Sequence, residues 1–167
     1  MSVCRQNFND EVEKQLNIQV NLEFKAAHIY TIMSAHFGKD SVSLPGFKKF
    51  FNDNAFEERT HAQQFIDYIL LRGGMIDLFT IEKPDYESWS PLEAVTKALI
   101  LEKMVNHNLL ELHKLADKYN DPHLCDFLEE HFLDEQVESI RKLSDMITNI
   151  NRVGDGLGIY LFDKSLQ

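Results

Sequence analysis

Four stretches of about 27 to 30 residues carry apolar side chains every three or four positions, the period of a helix with one buried face. Three breakers divide them: Gly38, the pair Gly73-Gly74, and Asp121-Pro122. The spacing predicts helices over 8–37, 45–72, 91–119 and 123–150. The third has the firmest start, because Ser90 is a ready N-cap, Pro91 suits the first helical position and Glu93 completes a capping box. After Asn151, Gly154, Gly156 and Gly158 lead into Ile159-Tyr160-Leu161-Phe162, which reads as a short fifth helix over 156–165.

The stretch 73–89 has no helical period, and an unstructured loop of that length inside a compact domain needs a reason. Geometry supplies one. A 27-residue helix is about 40 Å long, and 17 extended residues reach about 56 to 61 Å. The loop can therefore run the whole length of a bundle, which makes the second and third helices parallel and the other neighbours antiparallel. The expected fold is all-α: a four-helix bundle with one long crossover and a short C-terminal helix. With 167 residues and 44% hydrophobic content, one domain over 1–167 is expected to bury a single core.

The balance of 17 basic against 27 acidic residues, net −10, disfavours nucleic acid or an anionic membrane as partner and suits a chain that meets cations. No stretch approaches the roughly 20 apolar residues that span a bilayer, and the first ten residues contain no apolar run. Cys4 and Cys125 are too few for a disulfide framework. A cytoplasmic location is expected.

The stripes have polar interruptions. The first helix aligns Leu16, Val20, Glu23, Ala27, Tyr30, Ser34 and Phe37, and the second Phe47, Phe51, Asn54, Glu58, His61, Phe65 and Tyr68. The third aligns Val95, Ala98, Glu102, Val105, Leu109, Leu112 and Ala116, and the fourth Phe132, Gln136, Ile140, Leu143, Ile147 and Ile150. Each interruption is near mid-helix, so in an aligned bundle the polar groups converge at one height. Burying an ionised carboxylate costs several kcal/mol unless it is compensated. A single buried glutamate is ordinarily paired with a lysine or arginine, or protonated. The four stripes contain neither basic residue, and Arg72 enters only at the end of the second helix. A metal cluster and a protonated carboxyl cluster are the readings left. Oxygen ligands with one imidazole suit iron or manganese and tolerate zinc. Tyr30, further along the Glu23 face, is either a hydrogen-bond and electron donor to the site or a core tyrosine.

The residues carrying these features resemble the animal ferritins of heavy-chain type: Glu23 and Tyr30 in NLEFKAAHIY, Glu57, Glu58 and His61 in EERTH, Glu102 in LEKMVN, and Gln136 in LDEQVESI. NDPHLCDFLEEHF and IYLFDKSLQ, remote from these, extend the likeness over nearly the whole chain. The resemblance implies an iron-storage subunit that is also a ferroxidase, with two irons per subunit. One iron would be held by Glu23, Glu58 and His61 and the other by Glu58 and Glu102, with Glu58 bridging and Gln136 beside the second; Glu57 joins this metal-binding set. Dioxygen or peroxide would accept the electrons, and iron(III) would mineralise inside a twenty-four-subunit shell, built from this chain alone or with other ferritin subunits. The second site lacks a histidine and is expected to bind iron more weakly.

The same resemblance implies that iron reaches the shell through three-fold channels lined by Asp126 and Glu129, with His113 and Cys125 nearby. On spacing alone, acids in a first helical turn are ordinarily explained by the helix dipole, and only the family likeness moves them to a channel. Leu157, Leu161 and Ser165 would line a four-fold pore. Serine there replaces a histidine common in the family, so a metal or proton role is not carried over. Along the second helix Glu57 is kept, but Thr60 and Gln63 stand where the heavy-chain pattern commonly has glutamates, and weaker mineral nucleation is expected. Two other classes compete: a catalytically weak shell subunit, which would be expected to lose site ligands, and a di-iron oxygenase, which usually shows two Glu-x-x-His motifs where this chain has one.

Overall fold

The computed structural model describes residues 2–84 and 88–167; Asp85, Tyr86 and Glu87 of the crossover fall outside them. Described residues form α1 (Asp10–Phe37), α2 (Pro45–Leu71), α3 (Pro91–Lys118), α4 (Pro122–Leu128), a π-helical turn (Glu129–Leu133), α5 (Asp134–Val153) and α6 (Leu157–Ser165), with no strand among them. The chain is all-α, and α4, the π turn and α5 together make the fourth long helix.

Local chemistry sets the boundaries. Helix α1 starts at Asp10, two residues later than its periodicity suggests, because the Asn9 side chain accepts the Glu11 amide at 2.8 Å and acts as N-cap. At α3 the capping box is complete: Ser90 Oγ accepts the Glu93 amide at 3.2 Å and Glu93 accepts the Ser90 amide at 2.8 Å. Helix α5 runs to Val153, beyond the expected residue 150, and is stopped by Gly154 at φ +65°. Buried Asp163 of α6 accepts the Phe47 amide at 2.9 Å, which places a carboxylate at the α2 N-terminus.

The crossover is laid along α1 by side chains that replace backbone partners. The Met75 amide donates to Glu13 at 2.7 Å, and Asn17 Nδ2 donates to the Met75 carbonyl at 3.0 Å. One turn further, Asn17 Oδ1 accepts the Asp77 amide at 2.8 Å, and Asn21 bridges the Asp77 carbonyl at 2.9 Å and the Phe79 amide at 2.7 Å. At the far end His36 Nε2 meets the Trp89 carbonyl at 2.8 Å. The loop thus leaves α2 beside the start of α1 and delivers α3 beside its end, so α2 and α3 run parallel.

Two apolar clusters fill the bundle. One holds Tyr30, Phe37, Phe51, Val95, Leu101 and Leu143; the other holds Leu16, Val20, Phe65, Val105, Leu128 and Phe132. On every long helix the boundary between the clusters falls at the polar interruption. No described helix is long and apolar enough to cross a membrane.

Candidate metal centre

Between the two clusters lie Glu23 from α1, Glu58 and His61 from α2, Glu102 from α3 and Gln136 from α5. All five are buried; Glu23, Glu58 and Glu102 are only 1%, 4% and 3% exposed. Glu58 and His61 share a face because they are three residues apart on one helix.

The fourth helix reaches the site through its π turn. From Leu124 through Leu128 and Phe132 to Gln136 the buried positions advance four residues at a time. A straight α-helix turns about 100° per residue and would overshoot by about 120° across that run. The residue inserted by the π turn takes up most of the difference, and Phe132 and Gln136 stay inward. Beyond it Leu143, Met146 and Ile150 are buried, so Met146 fills the core position that simple periodicity gives to half-buried Ile147.

One ligand atom each from Glu23, Glu58 and His61 lies within 4.8 Å of the others. Gln19 Nε2 donates to Glu23 Oε1 at 2.7 Å, while Glu23 Oε2 and Glu58 Oε2 are buried without hydrogen-bond partners. Tyr30 donates to Glu102 Oε1, and Gln136 Nε2 donates to Glu102 Oε2 at 3.1 Å. His61 Nδ1 stands 3.5 Å from Glu58 Oε2, and Nε2 stands 3.1 Å from Glu135 Oε1. Among the described residues no lysine or arginine pairs with Glu23, Glu58 or Glu102. Arg72 instead binds Asp121 at 2.8 Å, at the end of α2.

Burial pushes the Glu23 carboxyl well above the usual carboxylate range, and adjacent Glu58 adds to it; Glu58 is raised by burial and then by Glu102. Burial alone would lower His61, but the Glu135 contact and the charges of Glu23, Glu135 and Glu57 outweigh it and hold the imidazole above its ordinary value. Tyr30 is raised by burial and then by Glu102, so its hydroxyl stays a donor. A site that holds protons this tightly exchanges them when a cation binds. Hard oxygens and one imidazole, with both thiols elsewhere, make iron or manganese chemically apt.

The remaining predicted residues sit apart from this centre. Glu57 is at its exposed edge, raised by partial burial of its carboxyl and by Glu135. His113 Nε2 pairs with Glu129 Oε1 at 2.6 Å, and Cys125 Sγ lies 4.0 Å from the His113 carbonyl. Asp126 and Glu129 are exposed. Leu157 and Leu161 of α6 are exposed, and Ser165 donates back to the Phe162 carbonyl at 2.6 Å. Sequence reasoning missed Gln19 and Glu135. Gln19 was visible in principle as the residue four before Glu23. Glu135 was not, because its orientation depends on the π turn.

Comparison with known proteins places the chain in a family. The profile described as Ferritin-like domain matches residues 13–153. Soma ferritin from Lymnaea stagnalis is 50% identical over 165 residues, 98% of this chain and 95% of the relative. Ferritin-1 heavy chain from Schistosoma mansoni is 48% identical over the same shares. Matched across both apolar clusters and the carboxylate band that separates them, and similar to these relatives over almost its full length, the chain belongs to the ferritin family.

Proposed function

We propose that this chain is an iron-storage subunit that oxidises iron(II) to iron(III) at the buried carboxylate band. The observation that carries the reading is the pair of partnerless buried oxygens, Glu23 Oε2 and Glu58 Oε2, beside one imidazole and, among the described residues, with no lysine or arginine paired to them. A divalent cation supplies the missing charge. Glu23, Glu58 and His61 hold one iron; Glu58 and Glu102 take the second, with Gln136 beside it. Both Glu102 oxygens accept hydrogen bonds, from Tyr30 and Gln136, so the second iron must displace them and binds more weakly. Each iron(II) gives up one electron, and dioxygen or peroxide takes the pair. The protein fixes the two metals and balances their charge as it rises.

Around this centre we read a twenty-four-subunit shell in the cytosol, with mineral inside. Exposed apolar residues such as Leu71, Met75, Leu78, Ile100 and Leu157 support assembly, because a lone soluble domain rarely leaves so many large apolar side chains in water. Asp126, Glu129, His113 and Cys125 are read as the channel that admits iron, and Leu157, Leu161 and Ser165 as an apolar pore lining.

Stopped-flow mixing of iron(II) with aerated protein, without organic substrate, tests the oxidation. The parent protein turns over rapidly, and Glu58→Ala slows the initial phase at least about tenfold, the lower end of what disturbing a metal's surroundings costs. An unchanged rate in Glu58→Ala rejects the site.

A further inference from the structure

The imidazole of His61 is constrained on three sides. Its ring is held edge-on against Phe132, with centroids 5.5 Å apart at 71°, and Phe132 is itself stacked on Phe65 at 4.2 Å. Its Nδ1 faces Glu58, and its Nε2 lies 3.1 Å from the carboxylate of Glu135. A neutral imidazole carries one proton and one lone pair. A carboxylate 3.1 Å from Nε2 favours the proton on that nitrogen, which leaves the Nδ1 lone pair on the side of Glu58, 3.5 Å away.

We propose that Glu135 is a positioning residue for metal capture: by engaging Nε2–H it selects the tautomer and orientation of His61 that present Nδ1 to the cation. Carboxylate–histidine–metal relays of this kind orient the ligand ring and raise its basicity. The inference rests on the metal-site reading above and adds to it a residue outside the proposed ligand set. The π turn is part of the device, because it ends at Leu133 and sets the angle at which both Phe132 and Glu135 meet His61. Glu135 is the outermost member, with its side chain 37% exposed against 10% for His61. Its replacement therefore leaves the core packed.

Cobalt(II) binding to the iron-free assembled protein, followed by its visible absorption, tests the role without any turnover. Glu135→Ala is expected to weaken the His61-dependent site by about 10–100-fold. Glu135→Gln keeps most of the affinity, because the amide oxygen accepts the same proton. In a His61→Ala background Glu135→Ala has no further effect, since a positioning residue acts only through the ring it positions. The inference is overturned if Glu135→Ala binds cobalt as the parent does, if Glu135→Gln is as weak as the alanine variant, or if the loss persists without His61. If the parent itself shows no cobalt binding sensitive to His61→Ala, the metal-site reading fails with it. Normal parent binding beside an indifferent Glu135→Ala overturns the positioning role alone.

Discussion

At the scale of single residues, the site is built from groups whose ordinary chemistry is displaced by their surroundings. Glu23 and Glu58 hold their protons to higher pH than exposed glutamates, chiefly through burial, and His61 is raised by its acidic neighbours despite burial. The sign of the resulting pH dependence is the same for all three. Each binds a proton more tightly in the folded chain than in the unfolded one, so its contribution to metal-free stability is present at low pH and is lost as pH rises through the raised values. A cation needs the bare forms and therefore competes better at higher pH. Zinc titrated calorimetrically into iron-free protein should bind in two steps, the tighter at Glu23, Glu58 and His61. Both steps should weaken from pH 7.5 to pH 5.5 with proton uptake on release. Affinity independent of pH would contradict the protonation states assigned here. That a glutamate interrupts each of three stripes is legible in the sequence; that Tyr30 answers Glu102 across the bundle, and not Glu23 on its own helix, is not, because that pairing is made between helices.

At the scale of elements, two features depend on backbone that periodicity does not describe. The crossover has few apolar anchors and is held by Asn17 and Asn21, whose amides stand in for ladder partners. Asn21→Ala strips partners from the Asp77 carbonyl and the Phe79 amide and should cost about 1–3 kcal/mol. Hydrogen exchange at Phe79 should accelerate, and unchanged exchange would show that the loop does not rely on that side chain. The π turn makes a sharper case. Glu130 is exposed, its side chain at 68%, so Glu130→Ala should change stability by less than about 0.5 kcal/mol. Deleting Glu130 restores α-helical winding and swings Leu124 and Leu128 about 100° out of the core. At about 1.5–3 kcal/mol for each leucine lost from the interior, the deletion should cost several kcal/mol in denaturant unfolding. Equal behaviour of the two variants would mean that the π turn carries no register.

At the scale of the whole molecule, the proposed oxidation and the proposed mineral growth are expected to depend on different residues. The buried band holds Glu23, Glu58, His61, Glu102 and Gln136 with Glu57 at its exposed edge, while the α2 surface leading away from it carries Thr60 and Gln63 where the ferritin resemblance implies glutamates. Thr60 and Gln63 carry no carboxylate, and their side chains bond locally, to the Phe56 carbonyl at 3.1 Å and to Asp67 at 2.8 Å. A Thr60→Glu, Gln63→Glu variant should begin mineral formation earlier than the parent at equal oxidation rate, as followed by light scattering; identical onset would remove nucleation from the account of these positions. How much was readable in advance follows a simple division. Helical periodicity, capping signals and the absence of basic residues from the stripes are local or additive properties, so the helices, the parallel placement of α2 and α3, and a carboxylate-rich centre could be argued from residues alone. The contacts that give the centre its form are long-range: Tyr30 with Glu102, Gln136 with Glu102, and Glu135 with His61. They exist only once four helices are packed at one height and the π turn has reset the rotation of the last. Spacing along a chain specifies which face a residue occupies. Which atom meets which across the bundle is settled by packing, where one inserted residue turns a side chain from solvent to site.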